Sequence, residues 1–520
     1  IFTMKSLPET LPDETNALQK MVLDYQSTVD QLQEKLKWYE EQFRLFQHQR
    51  FGSSSEKCPD QMELFNEAES ILDSLKQDDP DLEETISDQR KKPGRKPLSK
   101  HIPREVVRYE LPEAERVCEC GHALHEAGED KSEQLEIIPA QVKVIEHVQV
   151  KYACRACENG IISAPKPAQP IPRSFASASL LAYIIVAKFM DSLPLYRQET
   201  IFKRLSIDLS RATLSNWMLK VAELLMPFYD RLHELLILQK ILQADETTLN
   251  VIQDGRETKS KSYLWLYHSG GHESEHPIVL YEYQATRAGA HAARFLQGFS
   301  GHLQVDGYAG YHALASDDCI LVGCMAHARR KFDEAFKALP KEGRKNKMGM
   351  AQTALRQFAR LYALEKQFKD LTVEQRYLLR QEKSKPLLEE LKQWCDDNLT
   401  KTAKDSSIGK AIRYTINQWD SLTRYSEDGN LQIDNNAAER HIKPFVIGRK
   451  NWLFNQTPRG ANASALLYSL VQTAVANNLE PFDYLKYLLT ELPKLGRHYE
   501  PEALDQFLPW NLIGKIKPLK

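Results

Sequence analysis

Chemistry is easiest to read in residues 431–454, where Glu439 stands among Arg440, His441, Lys443, Arg449 and Lys450. Asp434, Asn435 and Asn436 are all residue types that cap helices, which puts Glu439 within the first turn or so of the helix that follows. A carboxylate among cations suits a site that holds divalent metal and handles phosphate, because acids bind the metal and bases bind the backbone. Taken alone, the segment reads as readily as a capped surface helix with ordinary ion pairs. Two upstream aspartates change that balance. Asp245 lies in 241–252, the first of three short apolar, β-branched or aromatic runs (the others are 262–267 and 277–281). Turn residues separate the runs, a pattern that predicts a strand meander. Asp306 lies in 301–311, a further predicted strand ending in Asp-Gly, after a helical stretch at 287–296. Two strand-borne aspartates joined by a helix-borne glutamate can hold a pair of Mg²⁺ (or Mn²⁺) ions for in-line phosphoryl transfer. Each aspartate alone is more often a turn or strand-end residue; the ordered trio is the signal. Asp434 and Glu246 are the local rivals for metal ligation.

The longer motifs around these acids resemble the IS66 family of DDE transposases. The resemblance is carried, in order, by Asp245–Thr247, Val305–Tyr308, Gly323–Phe332, Asp434–Arg440, Ile447–Phe454 and Tyr468–Ala474, and it runs from about residue 15 to about residue 490. It implies a multidomain α/β chain whose RNase H-like catalytic core carries Asp245, Asp306 and Glu439 as its triad. The implied function is that of an insertion-sequence transposase. It binds the element's terminal inverted repeats, cuts the 3′ ends with divalent metal and joins them to target DNA. The residues alone support only metal-dependent phosphoryl transfer. An RNase H-like nuclease that cuts without joining, or a non-catalytic DNA-binding descendant of a transposase, are the alternatives.

Several elements must carry and serve such a core. Leu18, Val22, Tyr25, Val29, Leu32, Leu36, Tyr39, Phe43 and Phe46 alternate steps of four and three, so 13–52 is expected to form a coiled coil and to pair two or more copies of the chain. Residues 53–104 are an acidic linker followed by a basic arm, in which Arg95 and Lys96 sit in an AT-hook-like Gly-Arg-Lys-Pro suited to a narrow minor groove. In the small β-rich module 105–170, Cys118, Cys120, Cys154 and Cys157 can close a tetrahedral Zn²⁺ site. The family resemblance includes a zinc-binding domain here, usually opening with C-x-x-C. The C-x-C of this chain leaves His122 as a substitute for Cys118. Residues 174–240 read as helix-turn-helix, with Arg211, Thr213, Ser215 and Asn216 facing DNA.

The core itself is expected in two parts, 241–332 and 429–490, around a helical insertion at 333–428 that buries Leu355, Phe358, Leu361, Leu364 and Phe368. A strand at 320–324 leads the first part into Arg329, Arg330 and Lys331, expected to grip DNA beside the triad. Arg440, Lys443, Arg449 and Lys450 are expected to do the same from the glutamate helix. Cys324-x-x-His327 reads as packing plus phosphate contact rather than a metal half-site. The tail 491–520 is uninformative. A net charge of −2 excludes nonspecific DNA binding by the chain as a whole, so contact must come from local patches. No apolar run approaches the ~20 residues needed to span a bilayer, no export signal is evident, and eight cysteines suit a reducing compartment. The expected setting is the bacterial cytoplasm at the nucleoid. DNA, further copies of the chain and accessory proteins of the same element are the expected partners.

Overall fold

The computed structural model describes residues 15–51, 142–153, 161–163 and 166–519, with short breaks at 257–259, 273, 341–343, 345–348 and 497–498. The described residues fall into two units, one within 74–165 and one formed by the rest. In the smaller unit β1 (Lys151–Ala153) pairs antiparallel with β2 (Ile161–Ser163). Within the module expected to be β-rich, residues 142–150 have no regular structure. Cys118, Cys120, His122, Cys154, Cys157, Arg95, Lys96 and the acidic run lie outside the described residues.

The larger unit begins with α1 (Thr15–Phe51), a single long helix. Its heptad stripe faces solvent, with Val22 59%, Leu36 61% and Phe43 60% exposed. Near its end Glu41 accepts from the Ser407 N–H at 3.2 Å and hydroxyl at 2.9 Å, which ties that end to the rest of the unit. Three further helices follow: α2 (Ala178–Phe189), α3 (Leu195–Arg204) and α4 (Arg211–Ile237). The predicted break between α3 and α4 is present: Ser206 turns the chain at φ 61° and Ser210 caps α4 by accepting from Thr213 N–H at 3.2 Å. The second helix of the pair is much longer than a recognition helix, because Val221, Leu225, Phe228, Leu232 and Leu236 extend it into the core.

β3 (Ile241–Leu249), β4 (Ser262–Ser269) and β5 (Val279–Gln284) form the predicted antiparallel meander. After the short helix α5 (Gly289–Phe295), β6 (Gly301–Gln304) and β7 (Cys319–Val322) add in parallel on the other side of β3. The result is a mixed sheet in the order β5-β4-β3-β6-β7. β4 is buried on both faces, Leu264 to Tyr267 being fully enclosed, which is why its sequence is apolar throughout rather than alternating.

α6 (Met325–Ala338) leaves β7 and carries the second apolar cluster, in which Val322, Met325 and Phe332 meet the insertion. That insertion consists of α7 (Met350–Gln367), α8 (Val373–Leu379), α9 (Lys385–Leu399), α10 (Ser407–Asn417) and α11 (Trp419–Thr423). The predicted stripe on α7 is buried at Leu355, Phe358, Leu361 and the adjoining Phe368, and Leu364 is half-buried. The chain returns in α12 (Asn436–Trp452), α13 (Pro458–Ala476) and α14 (Pro481–Glu491). α13 protects the open edge of the sheet: Ser469 Oγ accepts from Tyr281 N–H at 2.8 Å and Thr473 Oγ1 from Val279 N–H at 3.0 Å. These hydroxyls are one helical turn apart, matching alternate residues of β5, and they pair donors an edge strand otherwise leaves open. The tail is not featureless, since Leu504, Phe507, Leu508 and Leu512 are buried and Asp505 pairs with Arg231 at 2.8 Å. Among the described residues no helix is long and apolar enough to cross a membrane.

Candidate active site

β3 and α12 carry Asp245 and Glu439 as expected. Asp306 instead lies two residues beyond the last residue of β6, in the turn where its carboxylate accepts from Tyr308 N–H at 2.9 Å. This Asx-type bond is what an Asp-Gly turn favours, and it takes the residue off the ladder. Glu439 is fixed from the start of its helix. Asn435 Nδ2 donates to the Ala244 carbonyl of β3 at 2.9 Å, and Asn435 N–H to Cys324 Sγ at 3.2 Å. The first turn of α12 is thus pinned beside Asp245 and beside the start of α6. Cys324 serves that packing role with its thiol buried.

The two rival acids are engaged elsewhere. Glu246 accepts from Arg287 Nε at 2.7 Å and from the Tyr311 hydroxyl at 2.7 Å. Asp434 accepts from the backbone and side-chain nitrogens of Asn436, at 3.1 and 2.9 Å, and so caps α12.

Two groups beside Glu439 come from another helix. Its Oε1 lies 3.6 Å from Arg330 Nη2 and 3.6 Å from His327 Nε2, both on α6. Arg440 follows Glu439 by one residue, a step that turns it about 100° around the helix, and it is exposed. Arg449 reaches back to β3, where it donates to Thr248 Oγ1 at 2.9 Å and to the Thr248 carbonyl. Lys450 is exposed, Lys443 is half-buried, and Lys331 lies 4.6 Å from the Tyr414 ring centre. Arg329, one residue before Arg330, is only 7% exposed. Arg211, Ser215 and Asn216 are exposed at the start of α4, with Thr213 half-buried between them. The nearness of His327 to Glu439 has no local signal in the sequence, because the two are more than a hundred positions apart.

The acids feel one another. Desolvation, then the negative charges of Glu246, Glu439 and Asp306, holds the Asp245 carboxyl well above the usual range. Burial pushes Glu439 up to about 7, against the pull of Arg330 and with the help of Asp434 and Asp306. His327 is pushed down to about 4 by burial and by Arg330, so its imidazole is neutral at pH 7. Glu439 Oε2 is buried with no hydrogen-bond partner among the described residues. A buried, unsatisfied carboxylate oxygen is the type of donor a hard divalent cation takes, and the charges of Asp245 and Asp306 act in the same site. Among the described residues, no three acid, histidine or cysteine side chains stand close enough to cage an ion.

Raised carboxyl pKa values carry a sign. In metal-free protein the protonated forms are favoured by folding, so their contribution is complete below the unfolded value and is lost as pH rises through about 7 for Glu439. The Glu439 contribution therefore favours metal-free protein at about pH 5 over about pH 8, against the opposite pull of buried histidines such as His268 and His327, and Glu439→Gln should remove that contribution from the melting-temperature profile. A Glu439→Gln profile that overlays the wild type would show that the carboxyl is not strained in this way.

With this geometry in place, the comparison with known proteins is direct. A family model described as the transposase IS66 family matches residues 173–463. The chain belongs to the IS66 transposase family. The zinc-finger binding domain of transposase IS66 matches 115–158, a model described as transposase C of IS166 homeodomain matches 38–107, and the IS66 C-terminal element matches 469–510. Relatives in Sinorhizobium fredii (strain NBRC 101917 / NGR234) include the uncharacterized protein y4jD, 33% identical over 516 residues and 97% of both chains. The uncharacterized protein y4qI is 32% identical over 491 residues, 90% of this chain and 87% of its own. IS66 membership makes the chain a transposase of an insertion sequence, acting on DNA. The zinc-finger match supports zinc use within 115–158, which spans the four cysteines and His122.

Proposed function

We propose that this IS66 transposase cuts the 3′ ends of its element and joins them to target DNA at a site formed by Asp245, Asp306 and Glu439. The observation that carries this reading is the placing of Asp245 on β3, Asp306 in the turn after the parallel neighbour β6 and Glu439 on the helix packed against β3, with burial and neighbouring carboxylates raising the pKa of Asp245 and Glu439. The strand order supports an RNase H-like core. Mg²⁺ or Mn²⁺ held by these acids would activate the attacking oxygen and neutralise charge on the leaving one. Arg330 and His327 hold Glu439 and present donors toward an incoming phosphate. Lys331, Arg440, Lys443 and Lys450 bind the flanking backbone, and Arg211, Thr213 and Asn216 read the terminal repeat together with Arg95 and Lys96 of the basic arm. Cys120, Cys154 and Cys157, with Cys118 or His122, hold the zinc.

The exposed stripe of α1 supports pairing of two chains as a coiled coil, which suits an enzyme that must bring two DNA ends together. Leu32→Glu with Leu36→Glu puts charge at the seam. Sedimentation should then report a loss of the dimer, and an unchanged mass would remove α1 as the interface.

The test of the main reading uses a supercoiled plasmid carrying the element's own ends, incubated with the chain, Mg²⁺ and any accessory protein of the element. Nicks leaving 3′-hydroxyls at the ends, followed by joined products, are expected. Cleavage without joined products would favour a nuclease.

A further inference from the structure

Gln243 and Gln304 face each other directly in the parallel pairing of β3 and β6, each two residues before an aspartate of the site. Both are wholly buried, a costly place for an amide unless its hydrogen bonds are made. Here they are. Gln243 Nε2 donates to Gln304 Oε1 at 2.9 Å and to Gln432 Oε1 at 3.2 Å. Gln243 Oε1 accepts from Ala438 N–H, the peptide just before Glu439, at 3.2 Å, and His268 Nε2 lies 3.1 Å away. Gln304 Nε2 completes the ring by donating to the Gln432 carbonyl at 2.7 Å. One side chain, Gln243, therefore touches the strand of Asp306, the approach to α12 and the turn of α12 that holds Glu439.

An apolar core would join these elements as firmly. What the amides add is direction, since each bond fixes the slide of β6 and of α12 along β3. We propose that Gln243, Gln304 and Gln432 are a positioning clamp that fixes the slide of β6 and α12 along β3 and so sets how closely Asp245, Asp306 and Glu439 can draw together on a divalent metal. The proposal rests on the metal-dependent reading above.

The experiment is calorimetric titration of Mn²⁺ into the full chain, well below every variant's melting temperature. Wild type is compared with Asp306→Ala, Gln243→Met, Gln304→Met and Gln432→Ala, and melting temperatures are recorded alongside. Asp306→Ala should abolish binding at the site. Each glutamine variant should weaken it about tenfold, as supporting groups around metal ligands do, in protein that still melts cooperatively. The double variant Gln243→Met/Gln304→Met should be no weaker than either single one, because a clamp opens once. If Gln243→Met does not fold, the half-buried Gln432→Ala decides. Folded glutamine variants that bind Mn²⁺ like wild type, while Asp306→Ala does not, overturn the clamp and leave the metal site standing. Wild-type protein that takes up no Mn²⁺, or Asp306→Ala that binds as well as wild type, removes the metal reading and the clamp with it.

Discussion

Glu439→Gln should cut the rate of end cleavage by roughly a thousandfold or more while leaving binding of the terminal repeat nearly intact. The substitution keeps the size of the side chain and removes one unit of charge, so the fold loses little. What is lost is the ability of Oε2 to serve as an anionic ligand. Asp245→Asn and Asp306→Asn should cost as much, and combining two of them should add little, because groups that act as one unit fail together. Gel shift on a labelled end and single-turnover cleavage separate the two effects. A Glu439→Gln protein that binds and cuts at near wild-type rate would move the chemistry elsewhere. Arg330→Ala offers a contrast: it removes a cation 3.6 Å from Glu439 rather than a ligand, and should slow cleavage by less.

The largest effect on stability is expected at Arg380, in the π-turn that follows α8. Its guanidinium is fully buried and pairs with Glu365 at 2.9 and 2.6 Å. It also donates to the carbonyls of Tyr425, Asp428 and Leu431, at 2.7, 2.8 and 2.9 Å. Arg380→Ala leaves the Glu365 carboxylate uncompensated and three carbonyls without a donor, a loss of about 3–5 kcal/mol. Lys keeps the charge but cannot reach in so many directions, so Arg380→Lys should fall between the two. Denaturant melts of the three proteins measure this. A cost of less than about 1 kcal/mol for Arg380→Ala would mean that water replaces the guanidinium. Because Leu431 is followed at once by Gln432, this guanidinium also anchors the loop from which α12 starts.

How much of this could be read from the chain alone follows from the range of each signal. The meander of β3 to β5 announced itself through short β-branched and aromatic runs, and α12 through its Asx cluster, because both signals are local. The stripe on α7 was equally plain, for the same reason. A predicted strand that ends in Asp-Gly puts Asp306 on the ladder, yet its own side chain bonds the turn beyond β6. Nearness in sequence points only to cations of the glutamate's own helix, whereas α6, more than a hundred positions away, brings the Arg330 guanidinium and the neutral His327 imidazole to Glu439. The glutamine ring had no local signature at all: each member is an ordinary amide until register and topology bring the three together. The tail gives no signal of its own because its apolar residues lie in and between short 3₁₀ turns, which carry no sustained period.

The central claim is that one metal site lies among Asp245, Asp306 and Glu439, and the most direct measurement is to map where a bound ion sits. Fe²⁺ can be exchanged for Mg²⁺ in the chain bound to its DNA end, and ascorbate with peroxide then generates hydroxyl radicals that cut the polypeptide next to the ion. The account predicts backbone cuts at three places, around residues 245, 306 and 439, all suppressed by excess Mg²⁺ and all absent in Asp306→Ala. Cuts confined to other segments, or cuts at these positions that persist in Asp306→Ala, would contradict it.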